Sequence, residues 1–282
     1  MKVSYVKFIC IFLASITFEK DSLMLHYSTH VHSNSTEWVT FIHGAGGSSA
    51  IWHKQLKAFS KEFNVLLLDL RGHGRSKAST ENYKRYSFDS IGNDVIEVLD
   101  HLNIQSTHFV GISLGTIIIR EITERFPERT KSMILGGAVM KINAKGQFLM
   151  HLGSLTKSVI PYLVMYRFLA WVIMPKKNHR ESRILFINEA KRLYQKEFIR
   201  WFTLISQVNA LLKLFRIKDA NKPTLYIMGE DDHMFLPSIE KMVEHHTSSQ
   251  LVVVPNCGHV VNVERPDHFN EVVVKFIQQV PS

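Results

Sequence analysis

The 282-residue sequence predicts an α/β fold in which a mostly parallel central sheet is flanked by helices. Short apolar runs alternate with segments of helical periodicity along most of the chain. The strand-like runs are apolar at nearly every position, which is typical of strands buried on both faces. The length and the 45% hydrophobic content suffice for one large domain with an insertion.

The first half of the chain predicts three strand–helix pairs. The helix after the second strand carries Ile91, Val95 and Val98 on one face, which is the spacing of a helix packed on a sheet. Pro127 follows the third helix and ends it. In chain order the expected elements are strand 38–42, helix 49–61, strand 64–70, helix 88–102, strand 107–110 and helix 116–126.

The second half predicts three more strands, at 132–135, 224–228 and 251–254, and a closing helix at 268–279. No convincing strand lies between residues 138 and 217, where the pattern is helical. Helices inserted at the carboxyl edge of a parallel sheet cover the crevice in which ligands bind, so we expect a lid here. This inserted segment is rich in aromatic residues: Phe148, Tyr162, Tyr166, Phe168, Trp171, Phe186, Tyr194, Phe198, Trp201 and Phe202.

These elements divide the chain into a core, a helical lid and a short extension. We expect the core to comprise residues 15–138 and 218–282, the lid residues 139–217, and the N-terminal extension residues 1–14. Low-complexity tracts and internal repeats are absent from the sequence.

The N-terminus has two interpretations. Two lysines precede the apolar run 8–14, as in a signal peptide, but no small-x-small cleavage site follows. We instead expect strands at 15–19 and 23–29 to form a hairpin in a cytoplasmic protein. The alternative is export or membrane attachment through residues 1–18. The run falls short of the ~18 apolar residues of a membrane-spanning helix.

Positive charge is concentrated in the inserted segment. Residues 140–218 contain fifteen Lys and Arg against three Asp and Glu, whereas the formal charge of the whole chain is +9. Such a segment could attract an acidic substrate, an acidic carrier protein or a membrane surface. We favour a solvated outer helix face, and membrane contact is not favoured. No nucleic-acid-binding module accompanies the charge, so we expect no nucleic acid partner.

No cofactor or metal is expected from the motifs. Cys10 and Cys257 lie far apart and lack zinc-ligand spacing, and Cys257 is expected to be a small buried hydrophobic residue. The glycine-rich segment 43–47 matches neither the dinucleotide-binding pattern nor the phosphate-binding P-loop, and it lacks the lysine of the latter.

The segment Gly111-Ile112-Ser113-Leu114-Gly115 lies between a predicted strand and a predicted helix. A serine at a sharp strand-to-helix turn is held in a strained backbone that points its hydroxyl out of the sheet. Glycine is needed on both sides because a β-carbon would collide with the neighbouring elements. Ser113 is therefore the candidate nucleophile.

A serine nucleophile needs a base to remove its proton, and His259 is the best candidate. It directly follows the last predicted strand, and Gly258 allows the loop to turn tightly. His43 and His73 also follow strands, but their glycine-flanked turns favour a bracing role. His233 adjoins the candidate acid and is poorly placed to reach the serine.

The group that orients the base should end another strand. The segment 229–232 follows the strand 224–228 and contains three carboxylates, of which Asp232 is preferred and Asp231 comes next. The alternative position, at the end of the strand 132–135, is empty because residues 136–145 contain no Asp or Glu.

Two backbone N–H groups are needed for the developing oxyanion. Leu114 follows the nucleophile at a helix N-terminus, where the dipole favours negative charge. The second donor should come from the loop after an early strand, and Ala45 in the segment His43-Gly44-Ala45-Gly46-Gly47 is expected to supply it. A glycine-rich turn without a ligand role is the alternative.

From about Phe18 to its end the chain resembles the α/β-hydrolase superfamily. The resemblance rests on five features in register: His43-Gly44, the stretch Asp69 to Ser76, the turn Gly111 to Gly115, Gly229 to Asp232 with Pro237, and Gly258-His259 with Glu264 and Pro266. It implies the α/β-hydrolase fold with a nucleophile Ser113, an acid Asp232 and a base His259. The stretch Asp69 to Ser76 looks structural in such proteins.

The resemblance also implies hydrolysis of a carboxylic ester, lactone or thioester through an acyl-enzyme, without a cofactor. A serine nucleophile excludes the related haloalkane dehalogenases and epoxide hydrolases, which use Asp. Carbon–carbon bond hydrolases, cofactor-free haloperoxidases and small-molecule receptors on this fold remain alternatives. The aromatic lid suggests an apolar substrate and its charge an anionic handle, and we expect the pocket to be lined by Ile51, Trp52, Met140, Tyr166 and Trp171.

Overall fold

The computed structural model describes residues 24–76, 86–156 and 159–281. Seven strands form one sheet in the spatial order β1-β3-β2-β4-β5-β6-β7. Every neighbouring pair is parallel except β1 with β3, which is antiparallel. The strands are β1 (Tyr27–His30), β2 (Trp38–Ile42), β3 (Asn64–Leu68), β4 (Thr107–Ile112), β5 (Thr130–Gly136), β6 (Thr224–Gly229) and β7 (Ser249–Val254).

Strands β2 and β3 are apolar except for Thr40 and Asn64, because they bury alternate side chains in two different cores. In β3, Leu66 and Leu68 face one core, whereas Val65 and Leu67 face the other. Side chains alternate across a sheet, so a strand covered on both faces needs apolar residues at nearly every position. The predicted α/β fold is therefore confirmed.

Helices cover both faces of the sheet. The residues of α2, α3 and α9 pack in one core, and those of α1 and α11 pack in the other. The helices outside the inserted segment are α1 (His53–Phe59), α2 (Phe88–His101), α3 (Leu114–Arg125), α9 (Leu236–Val243), α10 (Val261–Glu264) and α11 (Pro266–Gln279).

Five helices lie between β5 and β6, and the described part of residues 138–217 contains no strand. Their outer faces are exposed, while inner residues of four of them line a cavity together with Ile112 and Ser113 at the carboxyl end of β4. We call residues 139–217 the cap. Its helices are α4 (Ala144–Thr156), α5 (Tyr162–Ile173), α6 (Arg180–Ala190), α7 (Gln195–Ser206) and α8 (Asn209–Ile217).

Several boundaries differ from those expected. The strand β3 ends at Leu68, two residues early, because the N–H of Leu70 turns to bind the ring of His43. The helix expected at 49–61 begins with a 3₁₀ turn over Ser49–Trp52 and ends at Phe59. The strand expected at 23–29 is β1, Tyr27–His30, and pairs with β3.

The proposed hairpin partner, at residues 15–19, lies outside the described residues, as does the apolar run 8–14. None of the helices in the described ranges has the length and apolar character needed to cross a membrane.

Candidate active site

Ser113 lies at the turn from β4 into α3 with φ 54° and ψ −119°. This positive φ is unusual for a residue with a β-carbon and marks local strain. The turn is tightly packed on both sides: a β-carbon on Gly111 would press on Ile119, and one on Gly115 would overlap the carbonyl oxygen of Ile42. The sequence therefore forms a turn that presents the serine hydroxyl at the carboxyl edge of the sheet.

Ser113, His259 and Asp232 form a hydrogen-bonded relay at that edge. The serine Oγ lies 2.9 Å from Nε2 of His259, and Nδ1 of the same ring lies 2.8 Å from Oδ2 of Asp232. Asp232 is fully buried and His259 nearly so. A carboxylate at Nδ1 favours the tautomer that carries a proton there, which leaves Nε2 free to accept from the serine.

The alternative acid and base have other surroundings. Asp231 contacts Lys176, Asn178 and His179 of the cap rather than His259. Burial opposes the ionisation of Asp231, but its hydrogen bonds to these three side chains lower its pKa below the ordinary value. His233 is exposed to solvent. Neither residue is within the relay.

Cys257 precedes the relay histidine but is fully buried. Burial raises the pKa of its thiol to about 12. A thiol with such a pKa stays protonated near neutral pH and is a poor nucleophile.

His43 and His73 brace the loops next to the serine. Nδ1 of His43 donates to the carbonyl of Gly44 at 2.8 Å, and its Nε2 accepts from the N–H of Leu70 at 3.0 Å. Nε2 of His73 accepts from the N–H of Gly46 at 2.9 Å. Burial lowers the pKa of His43, which keeps the ring neutral so that it can both donate and accept.

Asp69 joins the loop after β2 to the loop after β3. Its carboxylate accepts from the N–H of Ser49 at 2.7 Å and from that of Arg75 at 2.8 Å. Burial opposes its ionisation, but these backbone hydrogen bonds place its pKa below the ordinary value. The stretch from Asp69 to Ser76 thus braces the loops around the serine.

The two residues expected to supply backbone N–H donors, Ala45 and Leu114, both lie at the cavity with Ser113. Leu114 is the first residue of α3, so its N–H has no acceptor within the helix. Ala45 lies between Gly44 and Gly46, and the N–H of Gly46 is already bound by His73. Both Ala45 and Leu114 line the cavity that contains Ser113 and His259.

The cavity lies between the sheet edge and the cap and has a volume of about 200 Å³. Most of its lining is aliphatic or aromatic, and its described lining contains no Lys or Arg. The polar side chains at its wall are Ser113, His259, Tyr166, Ser182 and Glu189.

The structure brings Ile51 and Tyr166 to the cavity wall but not the other three expected pocket residues. The prediction for Trp52 is wrong, because its ring centroid lies 4.9 Å from that of Phe41 in the core beneath the sheet. The prediction for Met140 is wrong, because this side chain packs in the core with α2 and α3. The prediction for Trp171 is wrong, because this residue lies on the outer face of α5 and is 62% exposed.

Sequence reasoning assigned no role to several residues that contact the relay or the cavity, although Glu264 is part of the resemblance. The Phe235 ring lies 5.1 Å from that of His259, and Glu264 accepts from the N–H of Gly258 at 2.7 Å. Ser182 and Glu189 line the cavity from α6. Proximity to Asp232 in the chain is a signal for Phe235, but no sequence pattern shows which face of α6 points inward.

Known proteins resemble the chain over most of its length. A family model described as the alpha/beta hydrolase fold matches residues 37–157. The 3-oxoadipate enol-lactonase 2 of Acinetobacter baylyi is 24% identical over 263 residues, which cover 91% of this chain and 94% of that protein.

Two solved structures have the same fold. The enol-lactonase of Burkholderia xenovorans LB400 has a TM-score of 0.74 at 21% identity and covers 90% of this chain and 96% of its own. A thermophilic esterase of Thermogutta terrifontis has a TM-score of 0.75 at 18% identity and covers 92% and 94%. The sheet order, the turn at Ser113 and these likenesses agree that the chain has the α/β-hydrolase fold.

Proposed function

We propose that this chain is a serine hydrolase that cleaves a carboxylic ester or lactone through an acyl-enzyme. The observation that carries the proposal is the relay of two short hydrogen bonds, 2.9 Å and 2.8 Å long, from Ser113 through His259 to Asp232. The relatives named enol-lactonase and esterase support the same chemistry.

In the first step the Ser113 Oγ attacks the carbonyl carbon while Nε2 of His259 takes the hydroxyl proton. Asp232 accepts a hydrogen bond from Nδ1 and stabilises the imidazolium that forms. His259 then protonates the leaving alkoxide, and an acyl-serine remains. In the second step His259 removes a proton from water, which attacks the acyl carbonyl carbon. The bond to the serine oxygen then breaks, His259 returns the proton to that oxygen, and the acid is released.

The N–H groups of Ala45 and Leu114 are proposed to hold the oxyanion in both steps. Their position next to Ser113 in the cavity wall supports this role. The loop that carries Ala45 is braced by His43 and His73, so its N–H groups are oriented before substrate arrives. Donors oriented in advance need no reorganisation when charge develops.

We propose that the cap, residues 139–217, is the lid of this site. Its α6 is tied to the core next to the reacting groups, since Ser48 donates to Glu189 and Ser182 donates to Glu264. Trp201 of α7 donates to the carbonyl of Arg71. A lid held in this way excludes bulk water from the cavity.

The cavity wall favours an uncharged acyl group of compact size. About 200 Å³ is somewhat more than the ~150 Å³ of an apolar cavity that takes up benzene. The described lining contains no Lys or Arg, and its one carboxylate, that of Glu189, forms an ion pair with Arg192 at 3.0 Å. The anionic handle expected from the basic cap has no support at the cavity wall, and we propose a neutral substrate instead.

Labelling with a fluorophosphonate probe tests the proposed function. The folded wild-type protein should be labelled at Ser113, and the Ser113→Ala variant should neither be labelled nor hydrolyse p-nitrophenyl esters of short acids. Absence of both labelling and hydrolysis in the folded wild-type protein would instead indicate a small-molecule receptor on this fold.

The charge preference has its own test within the same assay. We expect wild-type kcat/KM for p-nitrophenyl pentanoate to exceed that for the mono-p-nitrophenyl ester of succinic acid, which has a similar length and a terminal carboxylate. A preference for the succinate ester would contradict a neutral substrate without affecting the proposed hydrolysis.

A further inference from the structure

The hydroxyl of Tyr166 has no protein hydrogen-bond partner among the described residues, and it is open to the cavity rather than enclosed by protein. The residue itself is 4% exposed on the inner face of α5. Neighbouring tyrosines differ: Tyr162 donates to the carbonyl of Leu193 at 2.8 Å, and Tyr86 donates to Glu197. Buried tyrosine hydroxyls usually have such a partner. Among the described residues Tyr166 and Tyr226 lack one, and of these two only Tyr166 lines the cavity.

The unpartnered hydroxyl lies at the cavity, next to the loop that carries Ala45. Tyr166 lines the cavity together with Ser113 and His259. A β-carbon built on Gly46 would lie only 2.6 Å from the Tyr166 oxygen, so the phenol touches this loop. The N–H of Gly46 is bound by His73 and is not available to the phenol.

The ring of Tyr166 is held firmly by its neighbours. Its centroid lies 5.2 Å from that of Phe186 and 5.2 Å from that of Phe198. Burial, together with the nearby Tyr162, raises the pKa of the phenol, so it remains a hydrogen-bond donor at any ordinary pH. A rigid donor in an apolar wall binds a ligand atom only if that atom accepts a hydrogen bond.

We propose that Tyr166 is a specificity residue that donates a hydrogen bond to a second, neutral oxygen of the substrate, such as a keto or ether oxygen near the scissile carbonyl. This inference rests on the proposed function. The acceptor is neutral because no described Lys or Arg lines this wall to pair with an anion, and the Glu189 carboxylate there is already paired with Arg192 at 3.0 Å. The substrate class is therefore an oxygen-bearing ester or lactone rather than a plain alkyl ester.

The Tyr166→Phe variant tests this role because it removes the hydroxyl and keeps the ring packing. The substrates are p-nitrophenyl pentanoate and two esters of similar length that carry an oxygen, p-nitrophenyl 4-oxopentanoate and p-nitrophenyl ethoxyacetate. The measured quantity is kcat/KM for each oxygen-bearing ester divided by that for the pentanoate. Comparing this ratio between variant and wild type cancels the intrinsic reactivity of the esters.

We expect the ratio for at least one oxygen-bearing ester to fall about three- to tenfold in Tyr166→Phe, which is the effect of one neutral hydrogen bond. Tyr162→Phe is the matched control, since its hydroxyl bonds to the cap and does not line the cavity, and its ratio should match that of wild type. The melting temperature of Tyr166→Phe should not fall, because no protein hydrogen bond is lost.

Unchanged ratios in Tyr166→Phe would overturn the inference. An equal loss on all three esters would also overturn it, since that pattern belongs to a donor for the oxyanion. Failure of the proposed function is a separate result, in which folded wild-type protein hydrolyses none of the esters and is not labelled by the fluorophosphonate.

Discussion

At the scale of single residues, the two adjacent aspartates after β6 form hydrogen bonds with different parts of the molecule. Asp232 is fully buried and binds the ring of His259. Asp231 points the other way and binds Lys176 and His179 of the cap. Neighbouring positions in one tight turn therefore differ: Asp232 belongs to the relay, whereas Asp231 connects the core to the cap.

This difference leads to the first prediction. Asp232→Asn should lower kcat about 10⁴-fold, because an amide at this position favours the wrong imidazole tautomer. Steady-state kinetics on a p-nitrophenyl ester measure it. Asp231→Asn is the control and should retain kcat within about tenfold, as expected of a partly exposed ionic tie. A larger loss in Asp231→Asn than in Asp232→Asn would reverse the assignment of the acid.

A second residue-scale prediction concerns His108, far from the cavity. It is buried, with Nδ1 2.7 Å from Ser132 Oγ and Nε2 3.3 Å from Glu37. Burial is the main cause that lowers its pKa, to about 4. Because the unfolded chain binds the proton near pH 6.5, His108 supports stability above that pH, and the support is lost as the pH falls from about 6.5 towards 4.

Urea unfolding at pH 7.5 and pH 5 measures this effect. Wild type should lose about 2 kcal/mol more than His108→Gln between these two values. The glutamine variant retains the ability to form hydrogen bonds but cannot take up a proton. Equal losses in the two proteins would show that His108 does not contribute to the pH dependence.

At the scale of elements, the position of α3 against β2 decides where the serine stands. The start of the helix approaches the strand so closely that a β-carbon on Gly115 would overlap the carbonyl of Ile42. Position 115 therefore requires glycine, because the atoms that a β-carbon would meet belong to the backbone. Backbone atoms cannot rotate away as the end of a side chain could.

We accordingly predict that Gly115→Ala lowers the free energy of unfolding by about 1–3 kcal/mol and also lowers kcat. Gly92→Ala in α2 is the matched control. Its new β-carbon would meet only the side chain of Ile122, at 3.3 Å. Because alanine favours a helix, this control should be neutral or more stable by up to about 1 kcal/mol. Urea unfolding decides, and a stable, active Gly115→Ala would contradict the packing argument.

At the scale of the whole molecule, the cap and the histidine loop share a carboxylate. Glu264 accepts from the Gly258 N–H with one oxygen and from the Ser182 hydroxyl with the other. The cap therefore contacts the residue before His259 through one side chain. The basic charge of the cap lies elsewhere: Arg200 pairs with Glu197, and Arg183 donates to cap carbonyls.

Glu264→Gln should lower kcat roughly tenfold, because the charge-assisted hydrogen bond to the Gly258 N–H becomes a weaker neutral one and His259 is held less firmly. The Ser182 hydroxyl can turn to accept from the new amide. Glu181→Gln is the control, since this cap residue forms an exposed ion pair with Lys54, which is worth ~0–1 kcal/mol. Kinetics on both variants, with melting temperatures alongside, measure the effect. An unchanged kcat in folded Glu264→Gln would show that the cap tie does not position the histidine.

Local pattern was sufficient for the order of the elements and for the residues of the relay. Strands such as β3 are apolar from Val65 to Leu68 because both faces are covered, and the glycines around Ser113 mark a crowded turn. The strand ends that precede Asp232 and His259 meet at one edge because the strands are parallel. These features depend on neighbours in the sequence and on a general rule of parallel sheets.

Tertiary structure alone decided which side chains face the cavity. Trp52 and Trp171 are both aromatic and lie in segments that approach the site, but one packs beneath the sheet and the other points to solvent. The phenol of Tyr166 lies at the cavity of Ser113, and the carboxylate of Glu264 binds Ser182, although both partners are distant in the sequence. The helical period limits which residues share a face, but the packing of the cap on the core selects the face that turns inward.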